Sequence, residues 1–174
     1  MVANSGKSPS IKLRQAVIGD AEMLHGAINR FAAVRGQAHK IASTVSDFRK
    51  HGFGKNPKFS ALIAESGGRF AGLCLYFPVF STWTGRPGVF VQDLYIEETF
   101  RGMGIGETML RRVAHKSARQ GCTYLRLMVD VDNIAAQAFY KRVGVARMAD
   151  EQEHGAHGEA FAALAAKPKR DNCT

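Results

Sequence analysis

The chain has 174 residues, of which 45% are hydrophobic and 22% charged, and its formal net charge is +9 at pH 7. These values are typical of one soluble globular domain, and no apolar run approaches the roughly 20 residues of a membrane-spanning helix. Three widely spaced cysteines exclude a disulfide framework and a CxxC metal pair, which favours a reduced, cytoplasmic setting without a metal. The basic residues are scattered, which disfavours a nucleic-acid partner.

The first half of the chain is predicted to combine two helices with successive antiparallel strands. A polar leader, residues 1–10, precedes the first strand. Asp20 is expected to cap a helix that runs to about Val34, and a shorter helix is expected to begin at Ser43 or Thr44. A Glu65-Ser66-Gly67-Gly68 turn indicates a hairpin. The predicted strands cover residues 11–18, 59–64, 69–80 and 89–96.

The second half is predicted to alternate helices and strands. The expected elements are a helix over about 104–120, a strand over 124–131, a short helix over 134–143 and last strands over 145–148 and 159–164. Gly121 and Gly144 follow the two helices as C-terminal caps. We therefore predict a single α/β domain over residues 11–166 and a basic flexible tail over 167–174.

The junction between a predicted strand and the helix after it carries three alternating glycines, in the segment Arg101-Gly102-Met103-Gly104-Ile105-Gly106. Glycine permits positive φ angles and close backbone approach, and the N–H groups of a helix N-terminus attract anions. Together with the Arg101 cation, this predicts a cradle of pyrophosphate size. A Walker loop would require Gly-Lys-Ser/Thr where the chain has Gly106-Glu107-Thr108, and the GxGxG spacing differs from a dinucleotide fingerprint.

The remaining pattern, [Q/R]xxGx[G/A], resembles the pyrophosphate-binding motif of the GNAT superfamily of acyl-CoA N-acyltransferases. The order of elements resembles that fold over about residues 11–164. The diamine acetyltransferase branch is the nearer likeness, and it is carried by Ser81-Thr82-Trp83-Thr84-Gly85-Arg86, Gln92-Asp93-Leu94-Tyr95-Ile96, Phe100-Arg101-Gly102, Asp132-Asn133 and Ala138-Phe139-Tyr140-Lys141-Arg142-Val143-Gly144. The resemblance implies a mixed, mostly antiparallel sheet of six to seven strands, flanked by about four helices, with a V-shaped cleft between the fourth and fifth strands.

The resemblance also implies roles for individual residues in binding acetyl-CoA. Backbone groups of Leu94, Tyr95 and Ile96 would pair with the pantetheine arm, and the N–H group of Leu94 or Tyr95 would polarise the thioester carbonyl. A bulge near Gln92-Asp93 would aim these groups. The pyrophosphate would be held by the backbone N–H groups of Arg101, Gly102, Met103, Gly104, Ile105 and Gly106.

Two residues of the short fourth helix complete the implied site. Asn133 is a helix N-cap with an added cofactor contact. Tyr140 lies seven residues later, so two helical turns place both residues on roughly one face. In the family, a tyrosine here protonates the departing thiolate as a general acid. By itself, the Phe139-Tyr140 pair is also compatible with a buried aromatic cluster.

The residues that would bind the acceptor amine depart from the diamine pattern, because Gln92 stands where that branch usually has Glu. Glutamine cannot act as a base, which leaves Asp93 to bind the amine, orient water or take a proton. Asp93 is also compatible with a purely structural role, as a carboxylate that accepts hydrogen bonds from nearby backbone groups. The substitution and the net charge make a polyamine acceptor less favourable than a monoamine or a lysine-like substrate.

Three function classes follow from these features. The first is acetyl transfer from acetyl-CoA to a primary amine of a small molecule, by direct attack in a ternary complex and, from the resemblance, in a homodimer. Gln92 leaves open a non-catalytic acyl-CoA-binding regulatory module. The net charge leaves open a protein associated with nucleic acid or the ribosome.

Overall fold

The computed structural model describes residues 10–166 and separates into two units, one that ends at Asp130 and one that begins at Val131. The first unit contains, in chain order, β1 (Ile11–Gln15), α1 (Ala21–Val34), α2 (Val45–Phe53), β2 (Ser60–Ser66), β3 (Arg69–Ser81), β4 (Arg86–Ile96), α3 (Ile105–Ala118) and β5 (Leu125–Leu127). The second unit contains α4 (Ile134–Arg142) and α5 (Glu159–Ala165). The predicted tail, 167–174, and residues 1–9 of the predicted leader lie outside the described residues.

The strands form one mixed sheet in the order β1-β2-β3-β4-β5. The first four strands pair antiparallel, as predicted, and β5 runs parallel to β4. The β2–β3 hairpin turns at Gly67 and Gly68, whose φ angles are +56° and +75°. Two consecutive positive φ angles are the requirement of the tight turns that match strand twist, which explains why two glycines occur here.

One face of the sheet packs against α1 and α2. Its core joins Leu24 and Ala27 of α1 to Ile63 and Leu73 of neighbouring strands, all of which are fully buried. On the opposite face, α3 packs over β2, β3 and β4. The buried residues of α3 recur at helical spacing, which explains the single apolar stripe read from the sequence: Ile105, Met109, Leu110 and Val113.

The expected count of six to seven strands is wrong for residues 10–166, which form a five-stranded sheet with five α-helices rather than about four. Residues 145–148 form no strand, and residues 159–164 belong to α5 instead. That segment is rich in alanine, the strongest helix former, and this preference prevails where no neighbouring strand recruits it. No helix of the described residues is long and apolar enough to cross a membrane.

Candidate functional site

Strand β4 contains a β-bulge at the position where the family resemblance implied one. Leu75 of β3 pairs with Asp93, and the next residue, Tyr76, pairs with Val91, so Gln92 has no residue opposite it on β3. The Gln92 side chain is exposed. A bulge of this kind bends the strand and shifts its side-chain alternation by one residue.

The bulge decides which way Asp93 faces. In an uninterrupted strand, Val91 and Asp93 would share one face of the sheet. With the extra residue, Asp93 stands opposite Leu75 and two residues before Tyr95, and both of these belong to the core formed with α1 and α2. The carboxylate is therefore directed toward the α1 side of the sheet, away from α3.

Burial on this side of the sheet changes the acidity of Asp93. Desolvation raises the pKa of Asp93 to about 6, while the nearby positive charge of Arg35 opposes the rise. Arg35 follows the last residue of α1, pairs with the carboxylate of Asp130, and lies with its guanidinium 5.2 Å from the ring centroid of Phe31. Asp93 is thus a carboxyl group that changes charge near neutral pH.

The end of β4 is anchored by side chains that face the same core. Tyr95 is only 4% exposed, and its hydroxyl donates a hydrogen bond of 3.0 Å to Glu97. Glu97 also forms a 2.8 Å ion pair with Arg30 of α1. The Glu97 carboxylate is therefore engaged by two partners, and Asp93 is the better candidate for chemistry.

The backbone of β4 loses its β5 neighbour just before this segment. The β4–β5 pairing covers Val89, Phe90 and Val91, which pair with Leu125, Arg126 and Leu127. Leu94, Tyr95 and Ile96 remain paired with β3. Within residues 10–166, no strand pairs with their other side.

The glycine segment begins after a single 3-10 turn, Glu98–Phe100, whose last residue is buried. Gly102 and Gly104 adopt φ angles of +76° and +72° in the left-handed region, and a Cβ at either position would meet no atom within 4 Å. Ile105 is 2% exposed and anchors the start of α3 in the core. The loop is thus shaped by glycine and open toward solvent.

The helix ladder of α3 begins with the bond from the Thr108 N–H to the Gly104 carbonyl, 3.0 Å long. The N–H groups of the first turn, which include Ile105 and Gly106, precede this bond and have no acceptor within the helix. Such N–H groups, with the positive end of the helix dipole, form a site suited to an anion. Met103 is 43% exposed at the rim of this segment.

Arg101 differs from the other residues of the segment. Its backbone N–H donates to the Glu98 carbonyl at 3.1 Å, and its Nε donates to the Ile96 carbonyl at 3.2 Å. Its N–H group is therefore already used within the turn. The guanidinium group, which the Nε bond anchors, lies at the junction of β4 and the glycine segment.

The remaining predicted residues lie in the second unit. The Asn133 side chain accepts a 3.1 Å hydrogen bond from the Ala136 N–H, which makes Asn133 the N-cap of α4 as expected. Tyr140 is half-buried in the last turn of α4, and its ring packs edge-on against that of Phe139 with 5.0 Å between centroids.

Two other chemistries receive no support from the described residues. Burial raises the pKa of Cys74 to about 12, so its thiol is a poor nucleophile. No group of three or more His, Cys, Asp or Glu side chains within residues 10–166 is arranged to hold a metal ion.

The first unit therefore brings together Gln92, Asp93, the end of β4 and the glycine segment on one continuous stretch of chain. Sequence reasoning missed Arg35, which moderates the charge of Asp93 from 58 residues away in the chain. A basic residue at the C-terminal end of a helix is common because it complements the helix dipole, so the sequence contained no signal for this role.

Known proteins resemble this chain along most of its length. A model of the Acetyltransferase (GNAT) family matches residues 28–145. The thialysine N-epsilon-acetyltransferase of Sus scrofa is 34% identical over 171 residues, which cover 91% of this chain and 99% of that protein.

Solved structures show the same fold. An integron cassette protein from the mobile metagenome of V. cholerae has a TM-score of 0.77 at 18% identity, with 90% of this chain and 98% of that chain covered. An aminoglycoside N-acetyltransferase in complex with CoA has a TM-score of 0.64 at 16% identity and covers 88% of this chain and 96% of that chain.

These matches confirm the resemblance to the diamine acetyltransferase branch and the α/β GNAT fold. The matched family segment contains the bulge, the end of β4 and the glycine segment, and it extends through α4. The chain belongs to the GNAT family and is an acyl-CoA-dependent N-acetyltransferase.

Proposed function

We propose that the protein transfers the acetyl group of acetyl-CoA to the primary amine of a small molecule or an amino-acid-like acceptor, by direct attack in a ternary complex. The proposal of an amine acceptor rests on the position of Asp93, a carboxyl group with a pKa of about 6 beside the exposed Gln92 bulge. The name of the porcine relative, a thialysine acetyltransferase, agrees with an amino-acid-like acceptor.

The donor would be held at its pyrophosphate by the N–H groups from Gly102 to Gly106. Support comes from the two left-handed glycines, the open space where their side chains would be and the unpaired first turn of α3. The cradle proposed from sequence is one residue shorter here, because the Arg101 N–H already donates to Glu98. Arg101 would instead contribute the charge of its guanidinium.

The pantetheine arm would lie beside Leu94, Tyr95 and Ile96, in a V-shaped cleft between β4 and β5. The end of the β4–β5 pairing at Val91 and Leu127 supports this placement, because it leaves one side of that segment without a strand neighbour in the described sheet. A backbone N–H of Leu94 or Tyr95 on this side would polarise the thioester carbonyl.

The reaction would proceed in one step from the ternary complex. The amine nitrogen attacks the thioester carbon, a C–N bond forms, and the C–S bond breaks. Asp93, which is mostly ionised at pH 7, binds the ammonium form of the acceptor and takes one proton from it, directly or through water, which frees the nitrogen lone pair for attack. The second proton of the nitrogen passes to solvent after the C–N bond has formed. Tyr140 donates a proton to the departing thiolate and recovers one from solvent, and Asn133 contributes a contact to acetyl-CoA from the start of α4.

The acceptor would carry few positive charges. Gln92 supplies no negative charge at the bulge, and Arg35 adds a positive one to the surroundings of Asp93. We therefore propose a monoamine or a lysine-like molecule rather than spermine. A cytoplasmic location and a homodimeric assembly complete the proposal; the two described free cysteines, Cys74 and Cys122, are compatible with a reducing setting.

An amine panel with acetyl-CoA and detection of free thiol tests the proposal. The panel should include polyamines, lysine and thialysine, aminoglycosides and peptides with free N-termini. Thiol release that depends on a monoamine or an amino-acid side chain supports the proposal. Release that depends only on spermine contradicts the acceptor class. Thermal stabilisation by acetyl-CoA without thiol release from any amine favours the non-catalytic module.

A further inference from the structure

A cavity of about 480 Å³ lies in the first unit between the C-terminal half of α3 and strands β1 to β3. Its wall on α3 carries Arg112, His115, Lys116 and Arg119. In the part of the chain that the structure describes, no aspartate or glutamate lines it. The cavity begins roughly 12 Å along the helix from Gly104, so it is separate from the cradle.

The four residues follow helical spacing. Arg112 and Lys116 are four residues apart, so two like charges are neighbours on one face and repel each other, and His115 lies four residues before Arg119 on the same side. Arg111, next in sequence but outside the cavity, forms a 2.8 Å ion pair with Glu107, one turn earlier. The positive charge of Arg111 on the outer face of α3 is thus neutralised. Arg112, Lys116 and Arg119 on the cavity side have no carboxylate partners among the described residues.

Lys116 is half-buried, whereas the other three residues are exposed. Its ammonium contacts the Gln15 side chain and lies 3.1 Å from the Tyr76 hydroxyl, which itself donates to Gln15 Oε1 at 2.8 Å. Gln15 Nε2 donates to the Ala61 carbonyl at 2.7 Å. Lys116 is therefore held in a fixed position by neutral groups alone, and an anion would complete its surroundings.

The helix dipole and the nearest carboxylates offset only part of the positive charge in the cavity. The negative end of the α3 dipole corresponds to about half an elementary charge, whereas Arg112, Lys116 and Arg119 carry three positive charges. Arg14, which also lines the cavity, is already paired with Asp20 at 2.7 Å and Glu65 at 2.8 Å. Arg14 and its two carboxylate partners together carry one net negative charge, so with the helix dipole counted a surplus of between one and two positive charges remains at the cavity.

We propose that this cavity is a second anion site, which binds a small molecule that carries two or more linked phosphate groups. Arg112 and Arg119 are separated by roughly 10 Å along the helix, a spacing that linked phosphates match better than one phosphate does. The planar guanidinium groups match phosphate oxygens in pairs. The cavity volume lies within the range of small-molecule sites.

Calorimetric titration with inorganic tripolyphosphate tests the site without any requirement for catalysis. The variants are Arg112→Gln and Lys116→Gln, singly and together, and the matched control is Arg111→Gln, which removes the same charge from the adjacent residue. We expect each single variant to raise the Kd for tripolyphosphate roughly tenfold and the double variant roughly a hundredfold, because a charge-assisted hydrogen bond is lost at each position. Arg111→Gln should change the Kd less than about twofold.

Each other outcome overturns the proposal. Absence of binding to the wild type removes the site. If Arg111→Gln weakens tripolyphosphate binding as much as the cavity variants do, the anion is attracted by net charge alone. If the double variant binds tripolyphosphate with wild-type affinity, the anion binds at the cradle and not in the cavity. Citrate bound as tightly as tripolyphosphate overturns the phosphate class. Removal of like-charge repulsion should not lower the thermal midpoint of the variants, so unchanged midpoints exclude misfolding as the cause of weaker binding.

Discussion

Asp93 acquires its chemical character from the residues around it rather than from its neighbours in sequence. The bulge at Gln92 directs its carboxyl group toward α1, where burial raises its pKa to about 6 and Arg35 limits the rise. A carboxyl group with this pKa is mostly ionised at pH 7, so it can bind an ammonium ion and still accept a proton during the reaction.

Asp93→Asn should lower kcat/KM for the best amine roughly a hundredfold, because the substitution removes the proposed proton acceptor. In the wild type, kcat/KM should rise with pH through about 6, as the carboxyl group loses its proton. This limb of the pH profile should be absent in Asp93→Asn. Glu98→Gln, at an exposed neighbouring acid, is the control and should leave the profile unchanged.

Stability measurements separate this loss of activity from unfolding. Because burial raises the pKa of Asp93 above its ordinary value of 3.8, the folded protein binds more protons than the unfolded chain between pH 3.8 and about 6. The contribution of this group to stability therefore falls as pH rises through that window. Asp93→Asn should not lower the thermal midpoint at pH 7; a large drop would contradict the desolvation of this carboxyl group.

Tyr140→Phe should lower kcat roughly a hundredfold while the Kd for acetyl-CoA changes less than about twofold, because the variant lacks only the proposed proton donor. Turnover and calorimetric binding of acetyl-CoA measure the two effects. Tyr124→Phe is the matched control, since it makes the same chemical change in the first unit, where the Tyr124 ring packs against Gly88. Full activity of Tyr140→Phe across several amines would disprove its role as general acid.

At the scale of elements, the cradle depends on the join between β4 and α3. The buried Ile105 fixes the start of α3, and the left-handed Gly104 turns the chain into the helix. The backbone conformation is thus imposed by the fold even without a ligand. Glycine is needed twice here, once for its φ angle and once for the open space at the helix N-terminus.

Gly104→Ala should lower stability by about 1 kcal/mol, because an L-residue is strained at a φ of +72°, and it should also raise the Kd for acetyl-CoA roughly tenfold or more. Gly85→Ala is the matched control: Gly85 has a φ of +63° in the β3–β4 turn and equal open space. It should lose similar stability in urea unfolding but retain affinity. Equal affinities in the two variants would place the pyrophosphate elsewhere.

The helices and the antiparallel strands could be predicted closely from sequence. Thr44, one of the two predicted starts of the second helix, caps α2 with a 3.2 Å bond from the Asp47 N–H, and α3 falls within the range that its apolar spacing predicted. The prediction failed where pairing partners decide the element. β5 covers only Leu125–Leu127, because β4 pairs with it over three residues, and residues 159–164 follow their helical preference as α5.

At the scale of the whole molecule, the formal charge of +9 acts on any charged acceptor. A polycation approaches against long-range repulsion, which dissolved salt screens over about 10 Å at 0.1 M ionic strength. A single positive charge is affected much less. The net charge therefore favours the same acceptor class as Gln92 and Arg35 do locally.

If spermine is accepted at all, kcat/KM for spermine should rise severalfold as ionic strength increases from low to physiological values. A singly charged amine, assayed in parallel, should change much less, because its repulsion from the protein is weaker. Initial rates in a salt series measure both. A fall in kcat/KM for spermine with salt would show that attraction at the acceptor site outweighs the net charge.

The sequence by itself predicted the proposed donor side of this protein. Glycine at positions 102 and 104 permits the left-handed backbone that precedes the apolar helix, and these local features predict an anion cradle wherever the strand before it lies. The same holds for the Asn133 cap and the hairpin turn, since each depends on residues within a few positions of one another. The predicted Asp20 cap is wrong in its side-chain bond: the Asp20 carboxylate makes no capping bond to α1 and pairs with Arg14 instead.

Only the tertiary structure decided the acceptor side. Whether Asp93 faces α1 or α3 depends on one extra residue in the β3–β4 register, and its pKa depends on burial and on Arg35, which is distant in sequence. The basic cavity likewise requires α3 to pack against β1 and Tyr76. Register, burial and charge proximity are properties of the packed sheet and helices, so no local pattern in the chain could encode them by itself.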